Sequence, residues 1–132
     1  MSSLEEKICQ ILKSEHIYYI QEQQFLDDNR IKYYRYDFYL PEYRIAIEAN
    51  GAQHYEFSKH FHKSRSEFTK AQERDRRKIN YCLAHGIKLY CIPYWEIDNL
   101  NSFTDICNKK FLARTKFHND DIWRTQKYRE VK

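Results

Sequence analysis

Three consecutive apolar residues, Ile45-Ala46-Ile47, run directly into a carboxylate, Glu48, and nothing else in the chain limits the fold as sharply. An apolar run without alternation is the pattern of a strand covered on both faces. The stretch from Tyr43 to Ala49 is therefore expected to be a central strand of a sheet with layers on either side. An isolated carboxylate in such a strand is costly to desolvate, so Glu48 needs a partner close by.

The neighbouring segments supply the rest of that sheet. Leu4, Ile8, Ile11 and Leu12 follow the spacing of an amphipathic helix over residues 3–15, with Ser2 or Ser3 as N-cap. Ile17 to Phe25 and Lys32 to Leu40 are rich in β-branched and aromatic residues and are separated by Asp-Asp-Asn-Arg at 27–30, which reads as a turn. Pro41-Glu42 makes a second turn into the central strand. A polar loop after Gly51 leads to a long helix from Ser64 or Ser66 to about His85, closed by Gly86. Ile87 to Pro93 is a fourth strand, and a last helix runs from Ile97 or Ser102 to Leu112. The order α-β-β-β-α-β-α predicts an α/β domain over residues 1–112, with a central mixed sheet flanked by helices. The long helix provides a crossover of parallel type. Residues 113–132 form a basic C-terminal tail or helix.

Composition narrows the setting. The chain has 132 residues, enough for one core and too few for two. It has only two Gly and two Pro and no low-complexity stretch, which argues against disorder away from the ends. No run approaches the length of a membrane span and no apolar core follows a basic start, so a soluble, cytoplasmic protein with no membrane association is expected. Cys9, Cys82, Cys91 and Cys107 are scattered among apolar residues without CxxC pairing and read as reduced core thiols. The formal net charge of +4 hides an asymmetry. Residues 1–58 carry 6 Lys/Arg against 10 Asp/Glu, whereas residues 59–78 carry 8 against 3. Carboxylates beside a basic segment suit a protein that holds a cation and tracks phosphates.

Other acidic residues also interrupt apolar patterns. Asp37 lies in the strand before Glu48, and the turn at Pro41 makes the two strands a hairpin that brings the carboxylates together. Like charges at close range repel unless a cation or a shared proton offsets them, and Mg²⁺ prefers carboxylates and water. Asp75 breaks the line Phe68, Ala71, Ile79, Cys82 of the long helix, among the cations Arg74, Arg76, Arg77 and Lys78. It fits either a core-edge ion pair or the site. Glu5 lies on the line of Ile8 and Leu12 and fits either the site or the positive end of its own helix. In the loop after Glu48, Gly51 permits a sharp exit that presents Gln53 and His54 beside the carboxylates, where a histidine can act as acid or base. His60 and His62 read as phosphate or solvent contacts.

The set Asp37-Phe38-Tyr39-Leu40-Pro41, Ile47-Glu48-Ala49-Asn50-Gly51 with Gln53-His54, Asp75 to Cys82, and Ile92 to Trp95 resembles the PD-(D/E)XK nuclease superfamily. It is most similar to the very-short-patch-repair-endonuclease-like branch, with its phage and homing-type members. The likeness spans about residues 3–110. It implies a restriction-endonuclease-like fold and Mg²⁺-dependent hydrolysis of DNA phosphodiesters, with Mn²⁺ able to substitute. Carried over, Asp37 and Glu48 would be metal ligands, with the carbonyl of Ala49 in the shell. His54 would be the acid or base, and Gln53, Glu5 and Asp75 would support the site. The superfamily's lysine, two residues after the glutamate, is replaced here by Asn50. Its positive charge would then fall to His54, Gln53 or a second ion. DNA phosphates would be met by Lys59, Lys63, Arg65, Lys70, Arg74, Arg76 and Arg77, backed by Arg114, Lys116, Arg124, Lys127 and Arg129 of the tail. With so little chain outside the fold, sequence specificity is expected to be weak or to come from a homodimer or a partner protein.

Two other classes are compatible with these residues. Asn50 also suits a non-catalytic nucleic-acid-binding or regulatory module on a decayed nuclease fold. A structural zinc site would need paired Cys/His spacing, which is missing.

Overall fold

Ser2 caps the first helix, α1 (Ser3–Ser14), through a side chain that accepts from the Glu5 N–H at 3.1 Å. Leu4, Ile8, Cys9, Ile11 and Leu12 are buried along one face. Full burial of an aliphatic side chain contributes about 1.5–3 kcal/mol, and Ile8 and Leu12 are completely enclosed. The structure, a computed structural model, describes residues 1–51, 56–57, 64–113 and 129–130, of which 56–57 and 129–130 are described by their backbone alone.

Among the described residues six strands and two further helices follow: β1 (Ile20–Leu26), β2 (Tyr33–Leu40), β3 (Ile45–Asn50), β4 (Glu56–Phe57), α2 (Arg65–Ala84), β5 (Lys88–Pro93), α3 (Phe103–Ile106) and β6 (Arg129–Glu130). The main sheet has the order β1-β2-β3-β5. β1 with β2 and β2 with β3 are antiparallel, and β3 with β5 is parallel. This is the expected mixed sheet, with α2 as the crossover between its parallel strands. β4 and β6 pair in parallel as a separate two-stranded ladder, so Arg129–Glu130 is a strand where the sequence suggested a helix or tail.

β3 is the central strand that its composition demands, with Ile45, Ala46, Ile47, Glu48 and Asn50 all buried. One core cluster joins Ile45 and Ile47 to Phe38, Leu40, Ile92 and the buried face of α1. The other joins Ala46 to Tyr36, Leu89, Cys91 and the α2 residues Ile79 and Cys82. Helix α2 ends as expected: His85 is its C-cap and Gly86, at φ +69°, provides the left-handed residue that turns the chain into β5. Arg44 Nη2 donates to the His85 carbonyl at 2.6 Å and ties the β2–β3 turn to that corner.

Two differences from the sequence pattern have local causes. Strand β1 starts at Ile20 rather than Ile17, because His16 takes a left-handed conformation (φ 58°) and Ile17 serves as an anchor under α1. The last helix is broken into a 3₁₀ turn (Tyr94–Asn99), α3 and a second 3₁₀ turn (Lys109–Phe111). Ser102 and Asp105 form a capping box that restarts the helix, and the Asn108 side chain captures the Lys110 N–H at 3.0 Å. Short polar side chains that bond nearby backbone groups compete with a continuous helix in this way.

One irregularity bears on function. Tyr36 packs in the α2-side cluster while Phe38 and Leu40 pack in the α1-side cluster, although residues two apart in a strand normally share a face. Gln21↔Phe38 and Gln23↔Tyr36 keep a single register, so the change of face falls at Asp37 and at Glu22 opposite it, whose φ is 53°. Sheet irregularities of this kind re-aim a side chain, and here the side chain is a candidate ligand.

Candidate functional site

The β2–β3 ladder runs Leu40↔Ile45, Tyr39↔Ala46, Phe38↔Ile47 and then stops, one step before Asp37 and Glu48 would face each other. β2 continues along β1 to Tyr33, and β3 continues along β5 to Asn50, so the sheet forks between them at this pair. The side chains take over the backbone donors at the fork. The Ala49 N–H donates to Asp37 Oδ2 at 2.8 Å, and the Asp37 N–H donates to Glu48 Oε2 at 3.2 Å. Each carboxylate is held by the backbone of the opposite strand, which fixes both without a turn-length linker.

The partner that buried Glu48 requires is Lys78. Its ammonium forms an ion pair with Glu48 Oε1, and both side chains are largely enclosed. Tyr36 positions this lysine twice over: its hydroxyl donates to the Lys78 carbonyl at 2.8 Å, and its ring lies 4.9 Å from Nζ. Burial pushes the Lys78 ammonium down to about 8, against the opposite pull of Asp37. The chain thus carries a counter-charge of its own for Glu48. The sequence offered one signal for it. Lys78 stands three residues after Asp75 and next to Ile79, on the buried line of α2 rather than on its solvent face.

The predicted residues fall into three groups. Asp37, Glu48, Ala49, Glu5 and Asp75 line one groove of about 970 Å³, together with Lys78. Glu5 lines this groove from the first turn of α1, where its Oε1 also accepts from the Ser2 hydroxyl at 3.3 Å. Asp75 additionally borders a water-sized void shared with Glu48, Asn50 and Lys78. Asn50 is itself buried, behind the carboxylates. Lys70, Arg74 and Arg77 line the groove along α2, whereas Arg65 and Arg76 are not among its described lining. Gln53, His54, Lys59, His60, His62 and Lys63 lie outside the described residues, as do the side chains of the tail cations. Sequence reasoning missed a second positive wall, formed by Lys32 and Arg35 of the β1–β2 turn and β2. Their signal was alternation with exposed positions in the strand that carries Asp37.

The donor set can be tested against the expected cation. Mg²⁺ is commonly held by one or two carboxylates, with waters and substrate phosphates completing its shell. Asp37 and Glu48 fit that chemistry, provided Glu48 shares its oxygen with Lys78. Among the described residues no group of three or more His, Cys, Asp or Glu side chains is placed to hold a metal. Cys9, Cys82, Cys91 and Cys107 are free thiols. No helix among the described residues is long and apolar enough to cross a membrane.

No family model matches the chain. The uncharacterized protein 307L of Invertebrate iridescent virus 6 is 41% identical over 58 residues, which is 44% of this chain and 29% of that protein. The uncharacterized protein 094L of Frog virus 3 is 44% identical over 59 residues, 44% of this chain and 38% of that protein. The matched stretch thus spans well under half the length of these viral relatives. Among solved structures, the catalytic domain of the homing endonuclease I-Bth0305I superposes with a TM-score of 0.50 over 96% of this chain and 99% of that domain, at 19% identity. The mixed α/β architecture of this chain is therefore shared with that catalytic domain.

Proposed function

We propose that this chain is a metal-dependent endonuclease of the PD-(D/E)XK type that hydrolyses phosphodiester bonds in DNA. The observation that carries the reading is the forked sheet. It holds the Asp37 and Glu48 carboxylates each on a backbone N–H of the opposite strand, with Lys78 on Glu48, in a groove lined by further cations. The fold of a homing endonuclease catalytic domain supports it.

In this reading Asp37 and Glu48 hold Mg²⁺ or Mn²⁺, with the Ala49 carbonyl as a further oxygen donor. Held there, the ion would supply Lewis acidity at the phosphate and make an attacking water more acidic. Water adds to phosphorus, one ester P–O bond breaks, and the departing oxygen takes a proton. Lys78 supplies the positive charge that Asn50 cannot, beside the carboxylate that orients the water. Glu5, Asp75, Gln53 and His54 support the reacting groups, with His54 as the proton carrier. Lys70, Arg74, Arg77, Lys32 and Arg35 neutralise phosphates along the groove, joined by Lys59 and Lys63 of the loop and by Arg65 and Arg76. Sequence selectivity is weak or is supplied by a second copy of the chain or a partner protein.

The test is a cleavage panel over duplex, nicked, branched and single-stranded DNA with Mg²⁺ or Mn²⁺. Cleavage that Asp37→Asn and Glu48→Gln both abolish is expected. Cleavage that survives both substitutions overturns the site, and salt-sensitive binding without cleavage of any form points instead to a decayed, non-catalytic module.

A further inference from the structure

The turn between β1 and β2 is stiff yet presents large apolar side chains to solvent. Asp27 organises it: its Oδ1 accepts from the Ile31 N–H at 2.8 Å, its carbonyl accepts from Arg30 at 3.0 Å, and its N–H donates to Lys32 at 2.8 Å. Arg30 takes the left-handed conformation that closes the loop, at φ 59°. On this base Ile31 is 76% exposed and Tyr33 is 64% exposed. Single exposed apolar residues need no explanation, but two on one rigid tip do. Tyr33 also lines the groove that contains Asp37, as do its neighbours Lys32 and Arg35, the latter paired with Glu22 at 3.1 Å, and Lys70, Arg74 and Arg77 of α2.

Aromatic side chains flanked by cations form stacking platforms for bases, because every base offers a π-face and the cations take the adjoining phosphates. Resting on the nuclease reading above, we infer that the β1–β2 turn is a stacking wedge, with Tyr33 taking an unpaired or unstacked base of the DNA strand held at Asp37. Four residues of strand separate Tyr33 from Asp37, which is about 13 Å at the usual rise per residue. A stacked nucleic-acid strand advances about 3.4 Å per nucleotide, so the stacked base lies about four nucleotides from the cut phosphate. The preferred substrate is then DNA that is opened near the cut, such as a branched or partly single-stranded form, rather than uninterrupted duplex. Ile31, farther out on the same tip, fills the gap left where the strands part.

The experiment uses the full chain. Cuts made by the unmodified protein are mapped on fork and plain duplex DNA. Binding of the Asp37→Asn protein is then measured on the same DNA carrying 2-aminopurine at successive positions. The 2-aminopurine signal is expected to change most about four nucleotides from the cut. Adding Tyr33→Ala should weaken fork binding by about tenfold to a hundredfold and flatten that signal, with Tyr33→Phe retaining both. An exposed side chain leaves the fold intact, which circular dichroism of both variants checks. If the protein cuts DNA but Tyr33→Ala binds forks as tightly as its parent, or fork and duplex are cut equally, the wedge is overturned and the nuclease reading stands. If the unmodified chain neither binds nor cuts any DNA form, both fall.

Discussion

The ammonium of Lys78 on α2 and the carboxylate of Glu48 on β3 form a largely enclosed ion pair that joins the crossover helix to the central strand at the candidate site. Removing one partner of such a pair leaves an uncompensated charge behind, which costs more than the pair itself contributes. Lys78→Met should therefore destabilise the fold by about 3–5 kcal/mol in denaturant titrations, and the added Glu48→Gln should recover most of that loss. A double-mutant cycle with no coupling between the two positions would show that the pair is not formed in solution.

The same lysine separates stability from chemistry. Lys78→Arg keeps a positive charge but cannot reproduce a compact ammonium beneath the Tyr36 ring. It should fold nearly as well as the parent and cut DNA at least tenfold more slowly, a loss of about 1.4 kcal/mol or more in transition-state stabilisation. Single-turnover cleavage rates and thermal unfolding of one preparation decide it. Equal rates would show that a positive charge suffices there and that the compact ammonium is not required.

Asp37→Asn should abolish Mg²⁺ or Mn²⁺ binding, because only an anionic oxygen competes well for these hard cations. Calorimetric titration of Mn²⁺ into both proteins reads this directly, and unchanged binding in the variant would move the metal away from the fork.

Lys70, Arg74 and Arg77 are expected to act through phosphates. Replacing any one by Ala should weaken DNA binding to a similar extent on all sequences and reduce the slope of log affinity against log salt by about one. Fluorescence anisotropy over a salt series checks this; an altered sequence preference would mark a base contact instead.

The buried thiols give a pH signature. Burial pushes Cys82 up to about 11 from a usual 9.0, and Cys107 likewise to about 11. The folded state thus keeps protons that the unfolded chain releases. This contribution to stability is complete below about pH 9 and is lost as pH rises through 11. Alkaline unfolding should steepen over that window, and Cys82 should resist thiol reagents at pH 8 until the protein unfolds. Rapid labelling of Cys82 in the folded protein would contradict its burial.

Much of the architecture was legible in local pattern. The run Ile45-Ala46-Ile47 announces a strand covered on both faces, the spacing of Leu4, Ile8, Ile11 and Leu12 announces α1, and Gly86 marks the end of α2. Each depends on neighbours within about two helical turns or one strand, the range over which periodicity carries information. The conflict at Glu48 was legible too, since a carboxylate in an apolar run demands a partner wherever it lies. Which partner answers it was not. Lys78 is thirty residues away, and whether it meets Glu48 depends on the rotation of α2 against the sheet. The fork between β2 and β3, the change of face at Asp37 and the second basic wall at Lys32 and Arg35 arise likewise from how strands part and twist once packed. Sequence by itself determined the elements and the need for a counter-charge at Glu48. Only the tertiary structure decided that a lysine of the crossover helix supplies it, because long-range electrostatic pairing follows from docking geometry and leaves no periodic trace in the chain.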